Sequence, residues 1–399
     1  MYLDIALIAL FALVFSCVAG YFGKSWLTGP TLFIAFGYAI GPRGFDALSF
    51  SADATVLKTL AEMTLALVLF MDATGANLKT LARGSQIPTR MLLIGLPLTL
   101  VLGFALASLM FEQFSLLEAA ILATILAPTD AALGQAVVKN VQVPESIRQS
   151  LNAESGLNDG ICVPILLLFL ALAGDASSHH QEGWQLVAFL FAEEIGIGLL
   201  VGFTMAFAGA QLIHFCQKKS WLTKTWRQVS LASLAICTFA LAQHVGGSGF
   251  IAAFCGGLLF GHLLKTDKHP LLEAGEGIGD TFSLITWVLF GSAVVGYTYQ
   301  FLTLNIVLYS LLSLTLVRIL PIFLSLLGSG ISTEGKLFLG WFGPRGLASL
   351  VFVIMVMQEQ LPNGTTIIHT VAFTIVISII AHGLSANVWA EGLGKRFKQ

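Results

Sequence analysis

Charge is what this chain lacks. Of its 399 residues only 11% are Asp, Glu, Lys or Arg, while 56% are hydrophobic. A soluble chain of this length needs about a quarter charged residues to cover its surface. The apolar surface must therefore face lipid. What charge there is comes nearly balanced, with 20 Lys+Arg against 22 Asp+Glu and a net charge of −2, so no basic face for nucleic acid is implied. Cysteine is also scarce. Cys17, Cys162, Cys216, Cys237 and Cys255 are scattered through apolar stretches. An odd count argues against a disulfide framework, their spacing fits no metal site, and they are read as small apolar fillers. No Gly-x-x-x-x-Gly-Lys-Ser/Thr element occurs, so neither ATP nor any other cofactor is called for. Met1-Tyr2-Leu3-Asp4 lacks the basic start of a cleaved signal, so the first apolar segment is expected to be retained. No low-complexity linker interrupts the chain, and residues 1–399 are read as one membrane domain.

What is there instead is a series of long apolar runs. A helix needs roughly 20 residues to cross the hydrocarbon core. Thirteen stretches qualify, near 3–22, 26–41, 55–77, 88–110, 116–138, 146–173, 185–215, 226–243, 248–264, 278–299, 303–327, 334–358 and 366–390. The fold class expected is an all-α integral membrane protein. Basic residues alternate between the two sides. Sixteen follow odd-numbered spans: Lys24, Lys79, Arg83, Arg90, Lys139, Arg148, Lys218, Lys219, Lys224, Arg227, Lys265, Lys268, Lys336, Lys395, Arg396 and Lys398. The other side has Arg43 and Lys58. The rule that cytoplasmic loops are basic then places the N-terminus outside and the C-terminus in the cytoplasm of a cell (inner) membrane.

Ionisable residues inside a bilayer are costly and by default functional. Span five contains Ala127-Pro128-Thr129-Asp130, and span twelve contains Gly343-Pro344-Arg345-Gly346. Proline removes a backbone donor and clashes with the preceding turn, so both spans should break near their middles. The plainer reading is two proline kinks and one structural ion pair. The offset argues for more. Spans seven apart cross the membrane in opposite directions, as inverted-topology repeats do, and interrupted helices at matching places in two halves point to a transport site. The repeats would be about 1–173 and 226–390, joined by a span at 185–215.

Span six carries the densest polar cluster, Asn152-Ala153-Glu154-Ser155-Gly156-Leu157-Asn158-Asp159-Gly160. On a helix, Glu154 with Asn158 and Ser155 with Asp159 stand four residues apart and line one broad face. Carboxylate, hydroxyl and carbonyl oxygens suit a hard cation such as Na⁺. The alternative is a loop between two shorter helices, but residues 161–173 alone are too short to span. Asp72, near the end of span three, either pairs with Arg345 or sits at the interface. Glu193 and Glu194 either line a funnel or mark a helix end or subunit contact. Arg318 snorkels or pairs structurally. His179 and His180 are read as solvated, and His214, His244, His369 and His382 as structural rather than pH-sensing.

These residues resemble a known family. Thr129-Asp130 in a broken fifth span, Glu154-Ser155 with Asn158-Asp159 in the sixth, and Gly343-Pro344-Arg345-Gly346 in the twelfth look like the monovalent cation:proton antiporters of the NhaP type, relatives of the animal sodium/proton exchangers. The resemblance covers essentially the whole chain. It implies two crossed, interrupted helices in a core domain that moves against a dimerising scaffold, hence a homodimer. It implies that Asp159 is the principal cation and proton carboxylate. Glu154, Ser155 and the Thr129 backbone would complete a Na⁺-type metal shell. Asp130 would balance the helix ends, Asn158 would orient Glu154, and Arg345 would hold an acidic partner in the core. The sequence departs from the family at Met71-Asp72-Ala73, where a glutamate followed by glycines is common. It departs again at Ala131, where proline is common, so the fifth-span break is expected to rest on Pro128.

The function expected is secondary active exchange of Na⁺ or Li⁺, with K⁺ also open, for protons by alternating access, serving pH and cation homeostasis. A proton or a cation can neutralise a buried carboxylate, but not both at once, which makes exchange obligatory if only the neutralised site crosses. Asparagine before Asp159, in place of a second aspartate, implies by the same resemblance an electroneutral one-for-one cycle. Two rivals stand beside this. Gly277-Ile278-Gly279-Asp280 matches the Gly-x-Gly-Asp of intramembrane aspartyl proteases, but no Tyr-Asp dipeptide supplies the second aspartate. A cation channel would need a continuous pore without proton coupling.

Overall fold

A computed structural model describes residues 2–22, 27–47, 54–76, 86–130, 133, 137, 140, 143–177, 183–264, 269–359 and 361–396. Lys24, Lys79, Arg83, Lys139, Lys265, Lys268, Lys398, His179, His180 and Ala131 lie outside the described residues. Among the described residues there is no strand.

The helices in chain order are α1 (Tyr2–Phe22), α2 (Gly29–Ile40), α3 (Ala54–Gly75), α4 (Gln86–Met110), α5 (Leu116–Ile125), α6 (Glu145–Ser177), α7 (Gly183–Lys218), α8 (Lys224–His244) and α9 (Gly249–Leu263). They continue as α10 (His269–Phe290, prolonged by a π turn and short turns to Phe301), α11 (Leu304–Leu314 and Leu316–Ser325), α12 (Thr333–Trp341), α13 (Leu347–Val356) and α14 (Gly364–Arg396). Seven of the described helices are long and apolar enough to cross a membrane, and several shorter apolar ones accompany them. Their outward faces carry large apolar side chains such as Leu10, Leu13, Leu200, Phe203, Phe207 and Leu212. In water such a surface would aggregate. The chain is a multi-pass membrane protein.

Two sets of helices meet. α4, α5, α6 and α11 to α14 pack on one another, while α3, α7, α8, α9 and α10 form the other set, with α2 and α1 laid against α10. In the second set α9 lies between α3 and α7. The approach to α3 is close enough that a Cβ at Gly257 would sit 2.5 Å from the Phe70 carbonyl oxygen. α6 joins the sets, touching α3, α7 and α9 on one side and α5, α12 and α13 on the other.

Three interruptions lie in the first set, two of them at a proline. α5 starts on a capping box, in which the Ser115 side chain accepts the Glu118 N–H and Glu118 accepts the Ser115 N–H. It stops at Ile125, because Pro128 disfavours helical backbone at Ala127 and offers no donor. α12 stops at Trp341, two residues before Gly343-Pro344, and helix resumes only at Leu347. α11 is broken at Thr315, whose φ of −105° and ψ of −85° lie outside the helical region. Span six, by contrast, is one helix through the whole cluster of 152–160, not two joined by a loop.

Candidate functional site

The two broken spans meet at their breaks. The Asp130 N–H donates to the Pro344 carbonyl at 2.9 Å. The Asp130 carboxylate accepts the Leu347 N–H at 3.0 Å and the Leu133 N–H at 3.3 Å. Asp130 thus caps the positive N-terminus of α13. Arg345 does the complementary job. Its Nη1 donates to the carbonyls of Ala127 and Pro128 at 3.0 and 3.2 Å, beyond the negative C-terminal end of α5. Its Nη2 reaches the Ser313 carbonyl at 3.5 Å. A Cβ at Gly346 would collide with the Asp130 carboxylate, which is why the break needs glycine there.

This corrects one expectation. The hydrogen-bond partners of the Arg345 guanidinium are carbonyl oxygens, not an acidic side chain. Glu154, one of two buried acids of α6, is held by Arg318 instead. Arg318 Nη1 and Nη2 donate to Glu154 Oε1 and Oε2, each at 2.7 Å, and both side chains are 1% exposed. That two-pronged geometry matches the planar guanidinium fork to the carboxylate. Arg318 stands one turn past the Thr315 break in α11, and a lone arginine in an apolar span was the signal that marked it.

α6 presents its polar face to the Thr129 stretch. Asn158 Nδ2 donates to Thr129 Oγ1 at 2.8 Å and to Glu154 Oε1 at 3.2 Å, while its Oδ1 accepts the Thr129 N–H at 3.4 Å. Thr129 Oγ1 donates onward to Glu154 Oε2 at 3.5 Å. The Ser155 hydroxyl donates to the Thr129 carbonyl. Thr129, Glu154, Ser155, Asn158 and Asp159 are all buried. Within this network Asp159 stands apart. Its Oδ1 is buried and has no hydrogen-bond partner among the described residues. Asp130, Asp72 and Glu154 are near enough for their charges to act on it. A buried carboxylate oxygen without a donor is costly, and it is where a cation or a proton would add most.

Asp72 lies on α3 across from α6, where a Cβ at Gly156 would stand 3.5 Å from its own Cβ. It is exposed rather than buried with Arg345. Among the described residues no three His, Cys, Asp or Glu side chains converge as a metal centre. A cation shell here would draw on hydroxyl and backbone oxygens beside Asp159. Glu193 and Glu194 lie on α7, away from these breaks in sequence and on the other helix set. The Gly277–Asp280 element runs through the uninterrupted start of α10, with Asp280 exposed, a poor setting for a buried aspartate pair.

Residues 6–392 match the model of the transmembrane sodium/hydrogen exchangers, and the chain belongs to that family. Its members are transporters, not enzymes. Among individual relatives, the K⁺/H⁺ antiporter NhaP2 of Shewanella sp. (strain MR-4) is 21% identical over 361 residues, covering 90% of this chain and 62% of that one. The Na⁺/H⁺ antiporter of Schizosaccharomyces pombe is 26% identical over 319 residues, covering 72% of this chain and 66% of the other. The chain therefore spans under two thirds of the length of these relatives. Its fold matches that of the sodium proton antiporter MjNhaP1 from Methanocaldococcus jannaschii, with a TM-score of 0.80, 21% identity and 98% of both chains covered.

Proposed function

We propose that this chain exchanges one monovalent cation for one proton across a membrane, with Asp159 as the group both ligands share. The observation that carries this reading is the buried Oδ1 of Asp159, the one carboxylate oxygen among the buried described atoms with no hydrogen-bond partner, where the other two such atoms, Nε of Arg318 and of Arg345, are donors. Asp159, the Ser155 hydroxyl and the Thr129 carbonyl supply oxygens of the kind Na⁺, Li⁺ or K⁺ takes. Glu154, committed to Arg318 by two bonds of 2.7 Å, borders that shell and helps to shape it. Asn158 and Asp130 hold the unwound stretch of the fifth span against α6 and α13.

Charge supports the stoichiometry. Setting aside Asp72, which is exposed, Asp130, Glu154 and Asp159 place three carboxylates against the two guanidiniums of Arg318 and Arg345, which leaves one negative charge. One proton or one monovalent cation brings it to zero, and the neutral assembly is the one that can cross between faces at least cost. Alternating access would move the set containing α5, α6 and α13 against the set containing α3, α7 and α9. We further assign the chain to the cell membrane as a homodimer, with its N-terminus outside and its C-terminus in the cytoplasm. The exposed apolar faces of α1 and α7 offer area for a second copy. The exchange would serve pH and cation homeostasis.

The test is transport by purified protein in proteoliposomes, with Na⁺, Li⁺ or K⁺ supplied in turn against an internal pH indicator. Asp159→Asn should abolish proton movement with every cation, because an amide supplies neither an anionic ligand nor a titrating proton. Near-normal exchange by this variant would remove Asp159 from the centre of the mechanism.

A further inference from the structure

The break in span twelve is held from outside by a helix that contributes nothing to the network around Asp159. α14 packs along α13, and three of its polar side chains, at positions 378, 382 and 385, fall on one face. Each finds a partner at the break. The Ser378 hydroxyl accepts the Arg345 N–H at 2.8 Å. His382 Nε2 lies 2.8 Å from the Trp341 carbonyl, the last of α12. Ser385 Oγ accepts the Trp341 indole N–H at 2.8 Å. His382 is 3% exposed and stacks on the Trp341 ring at 5.0 Å between centroids.

These contacts bracket the unwound residues 342–345 on both sides. Trp341 is the last helical residue before the break, and Arg345 leads into the first turn after it. The Trp341 carbonyl accepts from Gly343 N at 2.7 Å and from His382, so both its lone pairs are used. The other ring nitrogen, Nδ1, faces its own helix, 2.7 Å from the Ser378 carbonyl and 3.2 Å from the Ser378 hydroxyl. A neutral ring with its proton on Nε2 can accept from that hydroxyl, and a doubly protonated ring can donate to that carbonyl. The bond from Nε2 to Trp341 is common to these two states and is absent only from the neutral ring with its proton on Nδ1, which would donate to the Ser378 carbonyl instead.

We infer that Ser378 and His382 are positioning residues for transport. They fix the span-twelve break, and through it the Arg345 guanidinium on the α5 carbonyls and the α13 N-terminus on Asp130. The inference rests on the proposal that the Thr129–Asp130 stretch borders the cation site. Loosening the clamp lets Arg345 and Leu347 shift, which moves the Thr129 carbonyl and weakens cation binding. The transport step itself is left intact.

The experiment measures cation KM and maximal rate in proteoliposomes, normalised to folded, monodisperse protein, at several pH values. His382→Ala should raise the KM about tenfold, the factor expected for one lost buried hydrogen bond, with the rate per folded molecule little changed. The rise should hold across the pH range. His382→Gln, which restores a side-chain N–H donor, should bring the KM back to within about twofold of wild type. Ser378→Ala gives a second, smaller perturbation that does not depend on His382→Ala folding, and should raise the KM in the same direction. If folded yield falls but the KM of the folded fraction stays at the wild-type value in both alanine variants, the residues are merely structural and the inference is overturned. A rise confined to one end of the pH range overturns it too, since that marks a titrating sensor. An Asp159→Asn control run alongside separates failure of the clamp from failure of the site assignment, because normal exchange by that variant condemns the site alone.

Discussion

Removing Arg318 alone should damage the protein more than removing Arg318 and Glu154 together. The pair is sealed, with both side chains 1% exposed and two bonds of 2.7 Å between them. In Arg318→Gln the Glu154 carboxylate loses its balancing charge and keeps, beside whatever one amide N–H can offer, its bonds from Asn158, at 3.2 Å, and Thr129, at 3.5 Å. Breaking one side of a buried ion pair costs about 3–5 kcal/mol, because an uncompensated charge remains inside. Glu154→Gln strands the guanidinium instead and should cost a similar amount. If the effects were independent, the double variant would lose about 6–10 kcal/mol. It should instead lose little more than the difference between an ionic and a neutral hydrogen-bonded pair, about 1–2 kcal/mol, because two amides of similar length can bond each other. The assay is the temperature at which half the detergent-solubilised protein leaves the monodisperse peak, measured for wild type, both singles and the double. The expected order is wild type, then the double, then the two singles. A double variant that melts at or below the less stable single would refute the claim that this pair is held together by mutual charge compensation.

Two further outcomes follow from the breaks and the charge count. Gly346→Ala puts a methyl group where the Asp130 carboxylate sits, so it should combine an overpacking cost of about 1–3 kcal/mol with a lost cap of about 0.5–2 kcal/mol. The same melting assay should show a clear drop, and wild-type stability with full exchange would mean that Asp130 does not need its place against Leu347. An electroneutral cycle should ignore the membrane potential at equilibrium, although the field acts on each moved charge with about 2.3 kcal/mol per 100 mV. With the potential clamped at several values, a reversal point that shifts would mean unequal numbers of protons and cations, and the charge balance of the core would need a further titrating group.

The all-helical membrane class and the breaks in spans five and twelve were legible because each rests on a local rule, whereas the break at Thr315 in span eleven was not foreseen. Scarce charge and long apolar runs mark helices in lipid, and proline flanked by glycine or by a residue barred from helix marks a break. The continuity of α6 through Asn152–Gly160 was legible too, since the polar residues fall at helical spacing and neither half alone is long enough. The partner of each buried charge was not. Arg318 and Glu154 are 164 residues apart, and Arg345 and Ala127 are 218 apart. Nothing local selects which guanidinium faces which acceptor, and a carbonyl freed by a broken helix carries no mark in the side chains at all. Arg345 was therefore expected to take an acid, when the open end of α5 offers it backbone oxygens.

The same reasoning explains why the clamp on α14 escaped notice. Serine and histidine four residues apart in a helix usually satisfy themselves along their own backbone, and Ser378 and His382 partly do so. What gives them another role is that an unwound segment elsewhere in the chain exposes one N–H and one carbonyl in reach of that face. Broken helices in a membrane create such orphan groups by necessity, because the hydrocarbon offers them no partner. At the breaks of spans five and twelve, polar side chains on neighbouring helices supply partners. Span five is matched by Asn158, Ser155 and Arg345, and span twelve by Asp130, Ser378 and His382. Only Asp159, among the buried carboxylates, is left with an oxygen that no donor in the described residues satisfies, and under the proposed function that imbalance is what the transported ion or proton would correct.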